Sequence, residues 1–257
     1  VTDGSDFIWA GLVRRLLMAG HEVKVFDNQS RGAFRRVADI RTEIEIVEGD
    51  VRDADSVSKA VAGADCVCHL AFVNGTEFFY TKPELVLEVG VKGMVNVLDA
   101  CIKHSVRDFV LASSSEVYQT PSVVPTPESV SMVIPEPHNP RYSYAGGKII
   151  SELMTINYAR KHFERSVIFR PHNVYGPDMG WEHVVPQFLM RMMALVEQNI
   201  QGHPIAFPIQ GSGKETRSFN YVEDFLDGLM LVIERGLHQE IYHIGDPNEI
   251  EIAHLAK

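Results

Sequence analysis

The chain has 257 residues, 45% of them hydrophobic and 23% charged, enough to bury a substantial core in one large α/β unit with a small appended lobe. A net charge of -10 and a pI near 5.5 exclude a surface built mainly for nucleic acid. No apolar run reaches the roughly 18 residues of a membrane span and no signal peptide is visible, so a cytoplasmic protein without membrane contact is expected.

Val1 and Thr2 read as the last residues of a first strand. After them the patterning predicts a helix over Ala10 to Ala19, strands over Glu22 to Phe26 and Ile44 to Glu48, a helix over Asp55 to Val61 and a strand over Cys66 to Leu70. A long helix from Pro83 to His104, a strand from Asp108 to Ala112, a helix from Tyr144 to His162 and a strand from Ser166 to Arg170 follow. Strands alternating with helices in this way predict a doubly wound parallel sheet. The stretch from Thr120 to Pro140, rich in proline, serine and glutamate, is expected to be a surface loop over a site. Past Pro171 the alternation breaks. An amphipathic helix in HVVPQFLMRMMALVEQ belongs to a smaller lobe, and a helix over Val222 to Arg235 with a strand over Ile241 to Ile244 returns to the main sheet.

Cys66, Cys68 and Cys101 are an odd number without a zinc spacing, and the first two alternate along the apolar run CVCHLAF, so they read as buried small hydrophobes in a reducing compartment. The histidines form no HExxH-like pair, and no metal is expected.

The chemistry concentrates in YSYAGGKIISE, where Tyr144 and Lys148 stand four residues apart. On a helix that spacing places phenol and ammonium on one face, where the cation is expected to draw the tyrosine pKa toward that of a usable base. Such pairs arise by chance in many helices. Here Ser113, Ser114 and Ser115 follow the apolar strand DFVLA, at the carboxyl end where a parallel sheet opens onto a ligand crevice. Asp27 ends the second strand, where an acid holds the adenosine ribose of NAD and repels the extra phosphate of NADP, although Asp27-Asn28 is also a common turn signal.

On these motifs the chain resembles, over essentially its whole length, the extended short-chain dehydrogenase/reductases of the nucleotide-sugar epimerase, dehydratase and decarboxylase group. The resemblance implies a Rossmann-like domain over residues 1–174, with 217–246 returning to it, and a substrate lobe of 175–216 and 247–257. Relative to that group the chain looks truncated at both ends. It also implies NAD as cofactor, a nucleotide-sugar substrate, and a homodimer formed by the helices over Pro83 to His104 and Tyr144 to His162.

Residue by residue, the resemblance makes Ser114, Tyr144 and Lys148 the catalytic set. Tyr144 would take the C4 hydroxyl proton as hydride passes to NAD, Lys148 would hold the nicotinamide ribose, and Ser114 would bond the same sugar oxygen. Gly4, Phe7 and Ile8 at the first turn, Asp27 and Asn28 at the ribose, Asp50 and Val51 at the adenine, and Leu70, Ala71 and Phe72 under the pyrophosphate complete the implied cofactor contacts. On the substrate side Ser114 and Ser115 face the sugar, Asn173 of RPHNVYGPD and Arg217 of TRSFNYVEDF hold the phosphates, and Ile205, Ala206 and Phe207 wall the base. Ser115 followed by Glu116 matches uronate decarboxylases, whereas 4,6-dehydratases carry aspartate then glutamate and 4-epimerases neither acid. Glu116 is therefore an acid-base candidate, or simply a glutamate opening a helix.

One segment departs from the pattern. Where the group has a TGGxGxxG loop, this chain reads VTDGSDFIW, with Asp3, Asp6 and Trp9 on three glycine positions. An aspartate about 4 Å from a phosphate repels it by roughly 4 kcal/mol at an effective dielectric near 20. A tryptophan at the packing glycine is expected to overpack by about 1 to 3 kcal/mol. NAD is thus expected to bind poorly, and a cofactor-poor protein that binds a nucleotide sugar or a protein partner is the alternative reading.

Overall fold

The computed structural model describes residues 1–181, 183–198 and 206–257, so Ile205 of the expected base wall lies outside the described residues. In chain order the strands are β1 (Val23–Asp27), β2 (Ile44–Glu48), β3 (Cys66–His69), β4 (Asp108–Ala112), β5 (Arg165–Pro171), β6 (Asn173–Tyr175), β7 (Thr216–Arg217), β8 (Phe219–Tyr221), β9 (Glu240–Ile244) and β10 (Ile250–Glu251). The helices are α1 (Phe7–Met18), α2 (Ala54–Val61), α3 (Thr76–Thr81), α4 (Pro83–Leu87), α5 (Gly93–Lys103), α6 (Ser143–His162), α7 (Val184–Gln198), α8 (Val222–Arg235) and α9 (Ile252–Leu255).

β3, β4, β5 and β9 pair in that order, all parallel, and β1 pairs in parallel with β2. Thr2 joins the two groups: it bridges Phe26 of β1, and its N–H donates to the Cys68 carbonyl of β3 at 3.0 Å. The sheet is therefore doubly wound about residues 1–3, with α1 and α8 on one face and α2, α5 and α6 on the other. The strand DFVLA is buried on both faces, as a continuous apolar run in a covered parallel sheet must be. Two short pairings beyond the main sheet, β6 with β8 and β7 with β10, bring residues 173–175 and 216–221 to the strands' carboxyl ends.

Two boundaries differ from the expected ones for visible reasons. α1 begins at Phe7 because the Asp6 carboxylate caps it, accepting from the Ile8 N–H at 3.3 Å. The long helix expected from Pro83 is continuous from α4 into α5 but widens to a π turn over Glu88–Lys92.

Trp9 corrects an expectation. It is seated in the core at 8% exposure, edge-on to Phe169 of β5 and Phe225 of α8 with ring centroids 6.1 and 6.2 Å away, and it does not overpack. Two residues on, Gly11 lets α1 approach α8 closely, for a Cβ there would stand 2.5 Å from Leu226 Cδ1.

Candidate active site

β4 delivers Ser113 and Ser114 to the carboxyl edge of the sheet, and the first turns of α6 present Tyr144 and Lys148 beside them, all four buried. Ser114 caps the short 3-10 turn Ser115–Tyr118, its hydroxyl accepting from the Glu116 N–H at 3.2 Å. Tyr144 stacks on Phe79, centroids 5.2 Å apart, and meets Phe72 edge-on at 5.1 Å. The Lys148 ammonium donates to the Ala112 carbonyl at 2.7 Å and lies 4.2 Å from the centre of the Phe72 ring. That ring is wedged against Gly147, where a Cβ would come within 2.7 Å of it.

These surroundings correct the expected electrostatics. Burial pushes the Tyr144 phenol up to about 12; the Ser114 hydroxyl opposes it, Glu116 adds to it and Arg31 opposes it more distantly. Burial pulls Lys148 down to about 7, against which Asp3 and Glu152 favour its charge. Lys148 thus points at a carbonyl and an aromatic face, while burial holds the phenol above its ordinary value.

Sequence reasoning did not reach the polar chain behind this pair. One turn beyond Lys148, the fully buried Glu152 accepts from the Ser113 hydroxyl and holds Arg170 at 2.8 and 2.6 Å. Arg170 also donates to the Tyr118 hydroxyl and to the Glu128 carbonyl, the latter at 3.1 Å. Tyr118 in turn shares a 2.7 Å hydrogen bond with His243, and Glu128 anchors the loop expected over the site. Partners 18 to 125 residues apart leave no spacing to read.

At the first turn, Asp3 takes a left-handed φ of 59°, the conformation its glycine counterparts adopt freely. The Asp27 carboxylate is held by the Ser5 N–H and hydroxyl at 3.0 and 2.7 Å and by the Gln29 N–H at 2.7 Å. Burial raises Asp3 well above the ordinary carboxylate range and raises Asp6 as well, each also opposed by neighbouring carboxylates. Asp50, expected at the adenine, is gripped by Arg52 at 2.7 Å and approached by Asn28 at 3.1 Å, which together hold it down at about 2.

A cleft of about 960 Å³ runs along the carboxyl edge, lined by Asp3, Asp6, Phe7, Ile8, Leu70, Ser114, Ser115, Glu116, Tyr144, Lys148, Asn173 and Arg217. It thus gathers residues from both expected sets. Arg31, Arg36, Arg141 and Arg191 also line it, and the sequence had not singled them out. Glu116 faces Arg141 at 3.8 Å, Asn173 donates to the Ser218 carbonyl at 2.8 Å, and Arg217 donates to the Thr216 carbonyl at 2.7 Å. A neighbouring pocket of about 40 Å³ is lined by Asp27, Asn28, Val51 and Ala71, and Asp3, Ser30, Arg31 and Phe72 stand on the walls of both cavities. Gly4 packs under the turn against Val25, and Phe207 stands behind Phe188 with ring centroids 5.2 Å apart; neither lines either of these two cavities.

The model of the NAD dependent epimerase/dehydratase family matches residues 1–245. The chain is 29% identical to a UDP-N-acetyl-alpha-D-glucosaminuronate decarboxylase of Bacillus cytotoxicus, covering 100% of this chain and 77% of that protein. It is 30% identical to UDP-glucuronic acid decarboxylase 1 of Xenopus tropicalis, covering 100% of this chain but 58% of that longer protein. In three dimensions it resembles a dTDP-glucose 4,6-dehydratase from Streptomyces venezuelae, solved with NAD bound: TM-score 0.84, 28% identity, 99% of this chain and 77% of that one.

Proposed function

The chain belongs to the NAD dependent epimerase/dehydratase family, and from that premise we propose that its cleft binds a nucleotide sugar and that Tyr144 exchanges a proton with a ring hydroxyl. The observation that carries this reading is the convergence of Ser114, Tyr144 and Lys148 on a cleft of about 960 Å³ that Asn173 and Arg217 also line. Arg217 suits the sugar's diphosphate through its forked donors. Ser114 bonds the reacting oxygen, and a sugar oxygen arriving beside Lys148 offers the ammonium an acceptor other than the Ala112 carbonyl.

The family's cofactor is NAD, and the residues present fit it unevenly. Tyr144, Lys148 and Asp27 suit its two riboses. The turn that would cradle its pyrophosphate does not fit, because Asp3 and Asp6 put two carboxylates there and Asp3 with Phe72 walls the large cleft from the small pocket at Asp27. This favours a second reading, in which the chain binds the sugar nucleotide without turning it over.

Among the family's reactions, Ser115 favours C4 epimerisation or decarboxylation of a uronate over 4,6-dehydration. Elimination needs an acid at the leaving hydroxyl, and serine is a poor donor. The same reading places the protein in the cytoplasm as a homodimer through the exposed Ile150 and Leu153 of α6. A monomer by light scattering at micromolar concentration rejects the dimer.

The test is turnover of UDP-glucose and UDP-glucuronate with excess NAD, followed by mass spectrometry. Tyr144→Phe is expected to lower turnover by about a thousandfold with nucleotide-sugar affinity unchanged. Equal activity in that variant removes Tyr144 from the chemistry, and rapid loss of water from UDP-glucose removes the argument from Ser115.

A further inference from the structure

The first turn is where this chain parts from its family, and its own groups take the positions a dinucleotide would use. Asp6 is the N-cap of the twelve-residue α1, so its carboxylate already receives one of the N–H groups that a phosphate would find at that helix end. Asp3 stands at the left-handed corner of the turn and on the walls of both cavities. Ser5 saturates one oxygen of Asp27 and Gln29 engages the other, leaving a single lone-pair site where a ribose offers two hydroxyls.

We propose that Asp3 and Asp6 make dinucleotide binding proton-coupled: the pyrophosphate of NAD enters the turn as these carboxylates take up protons, so affinity rises as the pH falls. This inference rests on the family's cofactor and on the turn, and not on the identity of the sugar.

The charges around the pair set the sign. Asp3 is opposed by Asp6 and Asp27 and favoured by Arg31 and Lys148; Asp6 is opposed by Asp27 and favoured by Arg31 and Arg36. Burial adds to the like-charge repulsion, so both acids are raised before any ligand arrives. A diphosphate brings further negative charge against them and raises them again. Between the free and bound values the complex holds a proton that the separated partners do not, and each such proton tightens binding by about tenfold per unit fall in pH. Once Asp3 is protonated in the free protein the dependence flattens. The two acids titrate as a pair, so the proton count belongs to the turn and not to one residue.

The experiment is calorimetry of NAD with the whole chain from about pH 9 down to about pH 5, in two buffers of different ionisation enthalpy. The expected result is net proton uptake on binding and an affinity that rises as the pH falls, by up to about tenfold per pH unit for each proton taken up. Adenosine, which lacks the phosphates, is the control and should show no such slope. Asp3→Asn with Asp6→Asn keeps a residue tolerated at positive φ and a good N-cap while removing both charges. That variant is expected to bind NAD about a hundredfold more tightly at pH 8 and without pH dependence. A flat affinity profile in the unmodified chain overturns the proposal. So does an equal slope for adenosine, and so does an asparagine variant that binds no better than the parent. Titration of UDP-glucuronate in the same series keeps the two readings apart, since its failure to bind sinks the sugar assignment and leaves the NAD profile standing.

Discussion

The two ends of the cleft meet the same physical demand in opposite ways. At the catalytic end, buried polar groups are satisfied by partners on neighbouring elements: Lys148 by the Ala112 carbonyl, Ser113 by Glu152, Glu152 by Arg170. At the phosphate turn carboxylates do the holding, with Asp6 capping its own helix and Asp27 at the end of β1 accepting from Ser5 of the turn. The first arrangement keeps an open wall that a ligand can join. The second fills with carboxylates the place where the family receives an anion. A helix N-terminus is an anion site only while its own cap leaves it one.

The comparison breaks most visibly at Trp9. Restoring glycine there would empty a core position between Phe169 and Phe225 and place glycine inside a helix. Trp9→Gly is therefore expected to lose about 3 to 5 kcal/mol in urea unfolding. A loss under about 1 kcal/mol would show that the helix relaxes into the gap. Any repair of the turn should accordingly leave Trp9 in place and change only Asp3 and Asp6.

A smaller effect sharpens the other end. Lys148 falls from an ordinary 10.5 to about 7 in the folded chain. Between those values the unfolded chain holds a proton that the native one lacks, so this group makes stability rise with pH from about 7 upward. Lys148→Met should flatten that rise in unfolding measured on the alkaline side of neutrality. An unchanged slope would mean that the ammonium remains charged against the Ala112 carbonyl.

Much of this was legible in the sequence because the signals were local. Runs such as DFVLA and IEIVE mark parallel strands without help from the rest of the chain, and the four-residue spacing fixes Tyr144 and Lys148 on one helix face. β6, β7, β8 and β10, two or three residues each, are too short to show any period, and so is the six-residue α3. At the site, the expectation that lysine would lower the tyrosine pKa failed because spacing fixes a shared face and says nothing of Phe72 and Ala112, which claim the ammonium from other elements. The cost assigned to Trp9 failed likewise, since the rings of β5 and α8 that seat the indole edge-on lie far off in the sequence. The charge of Asp3 and Asp6 was legible, whereas the engagement of Asp27 by Ser5 depends on how the turn closes.

The central claim, that the sugar end of the cleft is open while the phosphate turn is occupied by the chain's own carboxylates, is tested most directly by the cofactor content of the purified protein. NAD(H) released by denaturation and quantified by chromatography should be far below one per chain for the unmodified protein prepared at pH 8, and near one for Asp3→Asn with Asp6→Asn. Stoichiometric NAD(H) in the unmodified protein would contradict the account, for it would mean that the pyrophosphate shares the turn with both aspartates.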